Sequence, residues 1–319
     1  MNRYLIIETE ETGIYERGDN YLFHITIRNV LTKNTASPST CSVTINDPCG
    51  VALVDTVSMV SDGSGVYYYD YSIPANAVYG EYEVVISTTT YSMKKTYNFH
   101  IFPWDANHDV RDMTGIGQNK SISDSALNNA IWDAYKEALE NVFVFHDYEQ
   151  PNYCATINKV CTTIDGSNTT FVTKAPNIAD HDGDGVVTGY GEQSCGTDVS
   201  GTWIDENGIC KQCNITVSDA ECGKLTITQL GGGAIPSTAK GIYLKYYVKM
   251  PNYSDDLFKD AVNYLAAHKV LVRFGELERA STADLNSAQN IKYVSPERMY
   301  KEYRRILRLI RKPPISGVQ

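Results

Sequence analysis

The sequence has no long apolar run, and this absence excludes one class of protein at the outset. No stretch reaches the ~20 consecutive apolar residues that a membrane-spanning helix needs. Residues 1–8 have the pattern of a short strand and lack the apolar segment of a secretory signal peptide. We therefore expect a protein that is made and kept in a cytoplasm and does not contact a membrane.

Recognisable catalytic motifs are absent as well. The chain contains no HExxH metalloprotease sequence, no GxSxG nucleophile sequence and no phosphate-binding Walker sequence. The glycine run at 231–233 lacks the spacing of a phosphate-binding loop, and the 6 histidines are scattered along the chain. These absences predict that the protein is not an enzyme.

Tyrosine, by contrast, is present in unusual number, with 23 copies. Because tyrosine combines a large contact area with a polar end, it is common in protein interfaces. The net charge is -10, yet residues 241–319 carry 14 basic and 8 acidic side chains. An acidic body with a basic C-terminal end indicates that this end meets an acidic partner.

Residues 1–103 have the pattern of an all-β domain. Apolar and polar residues alternate from Tyr21 to Ile27, and turn sequences separate several further short segments of the same kind. Alternation with a period of two is typical of half-buried strands. The pattern predicts an antiparallel β-sandwich, followed by a linker at 104–120 that is rich in aspartate, asparagine and glycine.

Helical patterns occur in two parts of the chain that are far apart in the sequence. One opens near Ser121, and the other resumes at Ser254 and includes a final helix after Pro296. We predict that residues 121–149 and 241–319 form one small helical bundle. The segment between them would then be an insertion, because surface loops accept long additions.

The insertion, residues 150–240, holds most of the cysteines and the densest group of aspartates. Its composition predicts a loop-rich segment that needs metal ions or disulfides for stability, because little apolar sequence is available for a core. The expected fold class is therefore a multidomain α+β protein. An N-terminal antiparallel sandwich would precede a small helical bundle that is interrupted by this cysteine- and aspartate-rich insertion.

Alternating aspartates beside Gly185 predict a calcium site in the insertion. Calcium requires several hard oxygen ligands that converge on one point, and a glycine allows the sharp turn between them. The predicted ligands are Asp180, Asp182, Asp184, the Val186 carbonyl, Thr188 and Glu192. This pattern resembles the calcium loops of dockerin and thrombospondin repeats. The alternative is a metal-free surface turn rich in aspartate and glycine.

Six cysteines are concentrated in the insertion. They are Cys154, Cys161, Cys195, Cys210, Cys213 and Cys222. Six cysteines in so short a segment predict that disulfides or a bound metal ion stabilise it, with disulfides as the first possibility. The second is zinc bound by Cys195, Cys210, Cys213 and Cys222, although a zinc ribbon has two CxxC pairs and this segment has one. Reduced structural thiols are the third possibility.

The last predicted helix carries a dense group of basic side chains beside its apolar stripe. They are Arg304, Arg305, Arg308, Arg311 and Lys312. A solvated helix face and a surface for an acidic protein partner both agree with this pattern. Contact with nucleic acid phosphates is the least favoured interpretation, because few aromatic side chains accompany the basic ones.

Two family resemblances rest on these patterns. Residues 1–103, with the Asp47-Pro48-Cys49-Gly50 turn and glycine-bounded tyrosine strands, resemble bacterial immunoglobulin-like or macroglobulin-like domains. Without the insertion, the helical part is similar to the head–tail adaptor (head-completion or connector) proteins of tailed viruses. The similarity covers a helix opening Ile-Ser-Asp, a second helix with Asp-Asp-Leu-Phe and Ala-Ala-His, and a last amphipathic helix.

The second resemblance implies a structural virion protein. Such adaptors form a ring of about twelve copies below the portal, with the C-terminal end on the portal. The implied partners are the portal protein, tail-completion proteins and further copies of the chain. The implied location is the virion neck, after assembly in the host cytoplasm. The alternative function is a cell-surface or extracellular calcium-stabilised binding or adhesion protein.

Overall fold

Alternating apolar and polar residues in the N-terminal part of the chain form strands that assemble into two sheets. The computed structural model describes residues 5–9, 13–38, 40–89, 92–116, 122–156, 159–161, 164–192, 196–281 and 295–312. The first strands are β1 (Leu5–Thr9), β2 (Ile14–Tyr15), β3 (Asn20–Asn29), β4 (Cys41–Asn46), β5 (Ala52–Ser58), β6 (Val60–Gly63), β7 (Val66–Ser72), β8 (Gly80–Thr88) and β9 (Met93–Ile101). One sheet has the order β1-β3-β7-β6 and the other β2-β9-β8-β4-β5.

The inner faces of these two sheets share one hydrophobic core. Phe23 from β3, Tyr82 from β8 and Phe99 from β9 are buried in it. The rings of Tyr82 and Phe99 stack with centroids 5.1 Å apart. The Tyr82 hydroxyl donates to the Val78 carbonyl at 2.9 Å, so the polar end of this buried side chain has a partner. The predicted β-sandwich is confirmed, with β2 and β9 as a parallel pair.

The segment that was predicted to be a linker contains a helix, α1 (Ala106–Thr114). Asp105 caps its N-terminus, because the Asp105 Oδ1 accepts a hydrogen bond from the His108 N–H at 3.1 Å. Gly115 ends the helix in the left-handed conformation, with φ at 71°. The linker prediction for 104–120 was therefore wrong. The aspartate and glycine that suggested a loop act as helix caps.

Three longer helices follow: α2 (Asp124–Val142), α3 (Asp255–Ser281) and α4 (Pro296–Arg311). Ser123 caps α2, since its Oγ accepts from the Ala126 N–H at 3.2 Å. The predicted start at Ser121 lies outside the described residues. Ser254 caps α3 in the same way, as predicted, through the Leu257 N–H at 3.3 Å.

The insertion and its flanks form a single antiparallel sheet. Its strands are β10 (Phe143–Glu149), β11 (Asn152–Thr156), β12 (Lys159–Cys161), β13 (Thr170–Val172), β14 (Val199–Ile204), β15 (Cys210–Asp219), β16 (Lys224–Gln229) and β17 (Gly241–Lys249). Their order in space is β10-β17-β14-β15-β16-β13-β11-β12. Strands β10 and β17, which flank the insertion in the sequence, are neighbours in the sheet.

This sheet has a hydrophobic core of its own, so the prediction of a loop-rich insertion with little core was wrong. The core includes Phe171, Trp203, Ile215, Leu225, Ile227, Leu244 and Tyr246, all buried. The missed signal is a short alternation of apolar residues on β15 and β16, whose intervening polar residues made the segment look like a surface loop. Apolar burial therefore contributes to the stability of the insertion.

Clustering of contacts divides the chain into two units. One is Met1–Asp133 with Ala266–Pro296, and the other is Ala134–Leu265 with Glu297–Gln319. The first contains the sandwich and α1, and the second contains the eight-stranded sheet and α4. Among the described residues, no helix is both long enough and apolar enough to cross a membrane.

The cap on α1 gives a first test of these assignments. Asp105→Ala should lower the free energy of unfolding by about 1 kcal/mol, because the substitution leaves the His108 N–H without its acceptor. Urea unfolding followed by circular dichroism measures the difference. Asp112→Ala is the matched control, since Asp112 is an exposed acid on the same helix whose ion pair with His108 spans 3.4 Å. Equal losses for both variants would contradict the capping role.

Candidate metal centre

Three carboxylates converge in the insertion. Asp180, Asp182 and Asp198 each place one oxygen within 4.8 Å of the other two. Asp182 is exposed, Asp180 is half-buried and Asp198 is buried. Oxygens at these separations can bind one hard cation, and Ca²⁺ in proteins takes about six to eight oxygen ligands from carboxylates, carbonyls and water.

Backbone hydrogen bonds to Asp180 fix the turn that carries two of these carboxylates. Its Oδ1 accepts from the Gly183 N–H at 2.8 Å, and its Oδ2 accepts from the Gly185 N–H at 2.7 Å. Both glycines have positive φ, at 77° and 86°. At Gly183 a side chain would also collide, because its Cβ would lie 2.5 Å from the Leu139 Cδ1. The turn therefore depends on two glycines, whereas the sequence pattern pointed to Gly185 alone.

The third carboxylate, Asp198, comes from outside the predicted loop. It directly precedes Val199, the first residue of β14, so the sheet positions it. Its Oδ1 accepts from the His181 N–H at 2.6 Å, and its Oδ2 accepts from the Thr188 N–H at 2.9 Å. A calcium loop spans about twelve residues, and Asp198 lies beyond that span from Asp180. No local sequence signal could have found it.

The remaining predicted ligands have other roles in this region. Asp184 is buried, and its Oδ1 accepts from the Val186 N–H at 2.8 Å. Glu192 accepts from the Gly189 N–H at 2.7 Å. The Thr188 hydroxyl donates to the Gly196 carbonyl at 3.2 Å. Of the four predicted carboxylate ligands, Asp180 and Asp182 lie in the cluster, and the Val186 carbonyl stays a predicted ligand.

Burial and mutual repulsion disfavour the charged state of these carboxylates. Desolvation raises the pKa of Asp198 to about 7; the hydrogen bond from the Thr188 N–H opposes this rise, and the charge of Asp182 adds to it. The pKa of Asp180 is raised as well, first by burial and then by the charge of Asp198. A bound divalent cation would offset this penalty, because it neutralises charges that otherwise repel one another.

Close packing leaves no room for a side chain opposite the cluster. A Cβ atom at Gly196 would overlap the carboxylate of Asp182. The carboxylate therefore occupies space that only a glycine at this position leaves open. The residues present fit a hard cation in ligand chemistry and in spacing.

The described cysteines of the insertion do not form the predicted disulfides. Cys210, Cys213 and Cys222 are free thiols. Cys210 is exposed and Cys213 is buried, because residues three apart on a strand such as β15 point to opposite faces. The two thiols therefore lie on different faces of the strand, and zinc binding by these cysteines stays a prediction. Burial raises the pKa of the Cys213 thiol to about 12, which keeps it protonated.

The other cysteines fall into two groups. The side chains of Cys154 and Cys161, and all of Cys195, lie outside the described residues. In the sandwich, Cys41 is a buried thiol beside Met59, with the two sulfur atoms 3.6 Å apart, and Cys49 is disulfide-bonded.

The basic residues of α4 all lie at the surface, as their pattern predicted. Arg305 pairs with Glu302 at 2.6 Å. Arg311 is also engaged, because its Nε donates to the Asn141 carbonyl at 3.0 Å. The opposite side of α4 is buried through Met299, Tyr303, Ile306, Leu307 and Ile310.

Comparison with known proteins gives distant structural similarities. No family model and no curated protein matches the chain. The Lin-41 filamin domain aligns with 33% of this chain and 97% of its own length, at 14% identity and a TM-score of 0.26. Titin M4 aligns with 32% of this chain and 96% of its own length, at 16% identity and a TM-score of 0.22.

A larger but equally distant match is trypsin-activated alpha-2-macroglobulin from Escherichia coli. It aligns with 77% of this chain, at 8% identity and a TM-score of 0.27, and the alignment spans 13% of that protein. Similarity at this level concerns the class of fold alone.

The raised pKa values predict how stability depends on pH. In the presence of a chelator, the melting temperature should fall as the pH rises from about 5 to about 8, because Asp180 and Asp198 retain protons there only in the folded chain. Scanning calorimetry at several pH values measures this slope. Asp198→Asn should flatten it. Asp219→Asn is the control, since hydrogen bonding from the Cys222 N–H lowers the pKa of Asp219. An unchanged slope in Asp198→Asn would contradict the assignment.

Proposed function

We propose that the chain is a head–tail adaptor of a tailed virus, a non-enzymatic structural protein that joins the portal to the tail as a ring. The way the insertion is attached carries the proposal. Strands β10 and β17 flank residues 150–240 and pair from Phe143↔Lys249 to Glu149↔Leu244, with one register shift between His146 and Glu149. The chain therefore leaves and re-enters the helical part at neighbouring positions. Without the insertion, α2 and α3 would be joined by a β-hairpin.

Contacts among three helices support this core. The rings of Tyr135 in α2 and Phe258 in α3 meet edge to face, with centroids 5.5 Å apart. Asn141 connects α2 with α4: its Nδ2 donates to the Tyr303 hydroxyl at 3.5 Å, and its Oδ1 accepts from the Arg311 Nη2 at 2.6 Å. Residues from both sides of the insertion thus pack together, as a single interrupted module requires.

The charge distribution on α4 supports the proposal that the C-terminal end of the chain docks on the portal. Arg304 and Arg308 are four residues apart, so they form one ridge along α4, and the exposed Lys312 follows directly after the end of the helix. In the described part of the chain, these three have no ion-pair partner, whereas Arg305 and Arg311 are engaged. Each exposed charge contributes little to binding by itself. A ring multiplies the contribution by its number of copies.

Charge reversal on this ridge tests the proposal. Arg304→Glu combined with Arg308→Glu should weaken binding to portal rings from the same virus by at least about tenfold, because attraction to an acidic surface becomes repulsion. Co-sedimentation of the full chain with assembled portal rings measures the effect. Charge reversal is preferable to deleting 299–319, since the deletion also removes buried side chains such as Tyr303 and Ile306.

A matched control reverses two exposed lysines of the sandwich, through Lys94→Glu with Lys95→Glu. This control should bind portal rings as the unmodified chain does. Circular dichroism should give the same melting temperature for both double variants within about 2 °C. Portal binding that survives reversal of the ridge would falsify the docking assignment. A chain that is absent from virions and found on a cell surface would instead support the alternative function.

The convergence of Asp180, Asp182 and Asp198 supports a further part of the proposal, that the insertion binds a structural calcium ion. The three side chains would supply oxygen ligands, and backbone carbonyls and water would complete the shell. The ion would stabilise the turn between β13 and β14 by neutralising the buried negative charge. It would have no catalytic task.

Calorimetric titration of the full chain with calcium chloride tests the site. Saturable binding is expected, and Asp198→Asn should weaken it by at least about tenfold, because one carboxylate ligand is lost. Gly196→Ala should weaken it too, by displacing the Asp182 carboxylate. Glu192→Gln is the decisive control, because Glu192 fits the sequence pattern but lies outside the cluster. The affinity of this variant for calcium should differ from that of the unmodified chain by less than about twofold. Loss in Glu192→Gln with none in Asp198→Asn would place the ion in the linear loop instead.

A further inference from the structure

An irregularity in β10 brings two aromatic side chains to the same face of the sheet. Residues three apart on a regular strand point to opposite faces, so Phe145 and Tyr148 should be separated by the sheet. The register of β10 with β17 shifts between His146 and Glu149. The extra residue of this bulge puts Tyr148 on the outer face, where Phe145 already lies.

The bulge strains the backbone at Tyr148. Its φ is 56°, in the left-handed region that residues other than glycine, asparagine and aspartate rarely adopt. A strained residue with a large, 62% exposed side chain gains little from burial. Strain of this kind is retained where the surrounding structure enforces it, and it concentrates at functional positions.

The two rings belong to a larger group, the aromatic face, defined as Phe145, Tyr148, Tyr243 and Tyr247. The Phe145 and Tyr247 ring centroids are 4.8 Å apart, and those of Tyr148 and Tyr243 are 6.5 Å apart. Tyr243 and Tyr247 alternate with buried residues of β17, so they share its outer side. The aromatic face thus consists of two ring pairs along one strand pair.

Each ring pair is held from one side and open on the other. The Lys245 Nζ lies 4.5 Å from the centroid of the Tyr148 ring. The His181 ring stacks on Tyr247 with centroids 3.7 Å apart. Phe145 remains 49% exposed beside this stack. The rings are therefore fixed in place before any ligand arrives, which lowers the entropic cost of binding.

Polar groups lie between and beside the rings. The Lys245 Nζ is 3.2 Å from the Asp147 Oδ1, and this ion pair sits between the two ring pairs. The Gln150 Nε2 donates to the Tyr243 hydroxyl at 3.0 Å. Hydrogen-bond donors and acceptors thus alternate with apolar ring surfaces along the face.

We propose that the aromatic face binds a neutral saccharide chain. A sugar ring has C–H groups on its faces and hydroxyl groups around its edge. The C–H groups pack on the electron-rich faces of aromatic rings. The hydroxyl groups can exchange hydrogen bonds with Asp147, Lys245 and Gln150. A ligand that is apolar on its faces and polar at its edges matches the order of groups on this surface.

The central ion pair favours a saccharide over a protein partner. The core of a protein interface is depleted of charged residues, because desolvating an ion pair costs more than its attraction returns. Here the Asp147–Lys245 pair occupies the middle of the face, with side chains 42% and 43% exposed. Sugar hydroxyls can hydrogen-bond such a pair without removing it from polar contact.

Native affinity electrophoresis of the full chain tests the proposal. The gels contain soluble starch, mixed-linkage β-glucan, xylan, galactomannan or dextran. At least one polysaccharide should retard the unmodified chain. Phe145→Ala should raise the apparent dissociation constant by at least about fivefold, because one ring surface is lost. Tyr300→Ala, which removes an exposed tyrosine of α4 outside the face, should bind as the unmodified chain does.

Tyr148→Gly separates a binding role from a structural one. Glycine adopts the positive φ without strain, so this variant should melt at the same temperature or higher while retardation is lost. A lower melting temperature with retained retardation would show that Tyr148 serves the fold, and it would overturn the proposal. Absence of retardation of the unmodified chain by all five polysaccharides would overturn it as well.

A third result would also overturn it. In this result, no polysaccharide retards the unmodified chain, and Phe145→Ala and Tyr148→Gly change the molar mass measured by light scattering. The face would then be a contact between copies. None of these measurements uses the portal. The saccharide proposal can therefore fail while the adaptor proposal stands, and the reverse is equally possible.

Discussion

The pairing of β10 with β17 is the constraint on which the second unit depends. Paired residues in an antiparallel ladder lie about 5 Å apart, so the two ends of the insertion meet as closely as the ends of a tight hairpin. Residues 150–240 can then pack on a core that they share with β17, without separating α2 from α3. A disordered insertion of that length would instead add a closure cost that grows with its length. The ladder allows a large β-sheet to be joined to a small set of helices.

Regular features of the fold were predictable because their signals are local. The alternation from Tyr21 to Ile27 identified the sandwich, and Ser254 identified the start of α3, since strand period and helix capping involve residues close in sequence. The apolar stripe of α4 was predicted for the same reason. The helix at 106–114 was missed because its caps, Asp105 and Gly115, are the residue types that also make loops.

The candidate metal centre was only half predictable, and the reason is topological. Asp180 and Asp182 belong to one turn, so their spacing identified them. Asp198 joins them because β14 starts beside that turn, and strand order cannot be read from short-range spacing. The CxxC spacing is ambiguous for a related reason. A CxxC pair suggests a common ligand site only when its backbone curves, and on the extended strand β15 Cys210 and Cys213 face opposite ways.

The unfavourable features of the second unit lie in the turn that carries Asp180 and Asp182, at Asp198 before β14, and at the bulge of β10, and this arrangement has a physical basis. The three carboxylates and the strained Tyr148 each cost free energy, which the folded chain must recover elsewhere. The buried side of the sheet, through residues such as Phe171, Ile215 and Tyr246, supplies that stability by apolar burial. A rigid sheet also prevents the costly groups from relaxing, because hydrogen bonds from the Gly183 and Gly185 N–H groups and the β10–β17 ladder fix their positions. Groups held in this way are ready to bind, and a ligand that neutralises the charge or covers the rings would recover part of the stored cost.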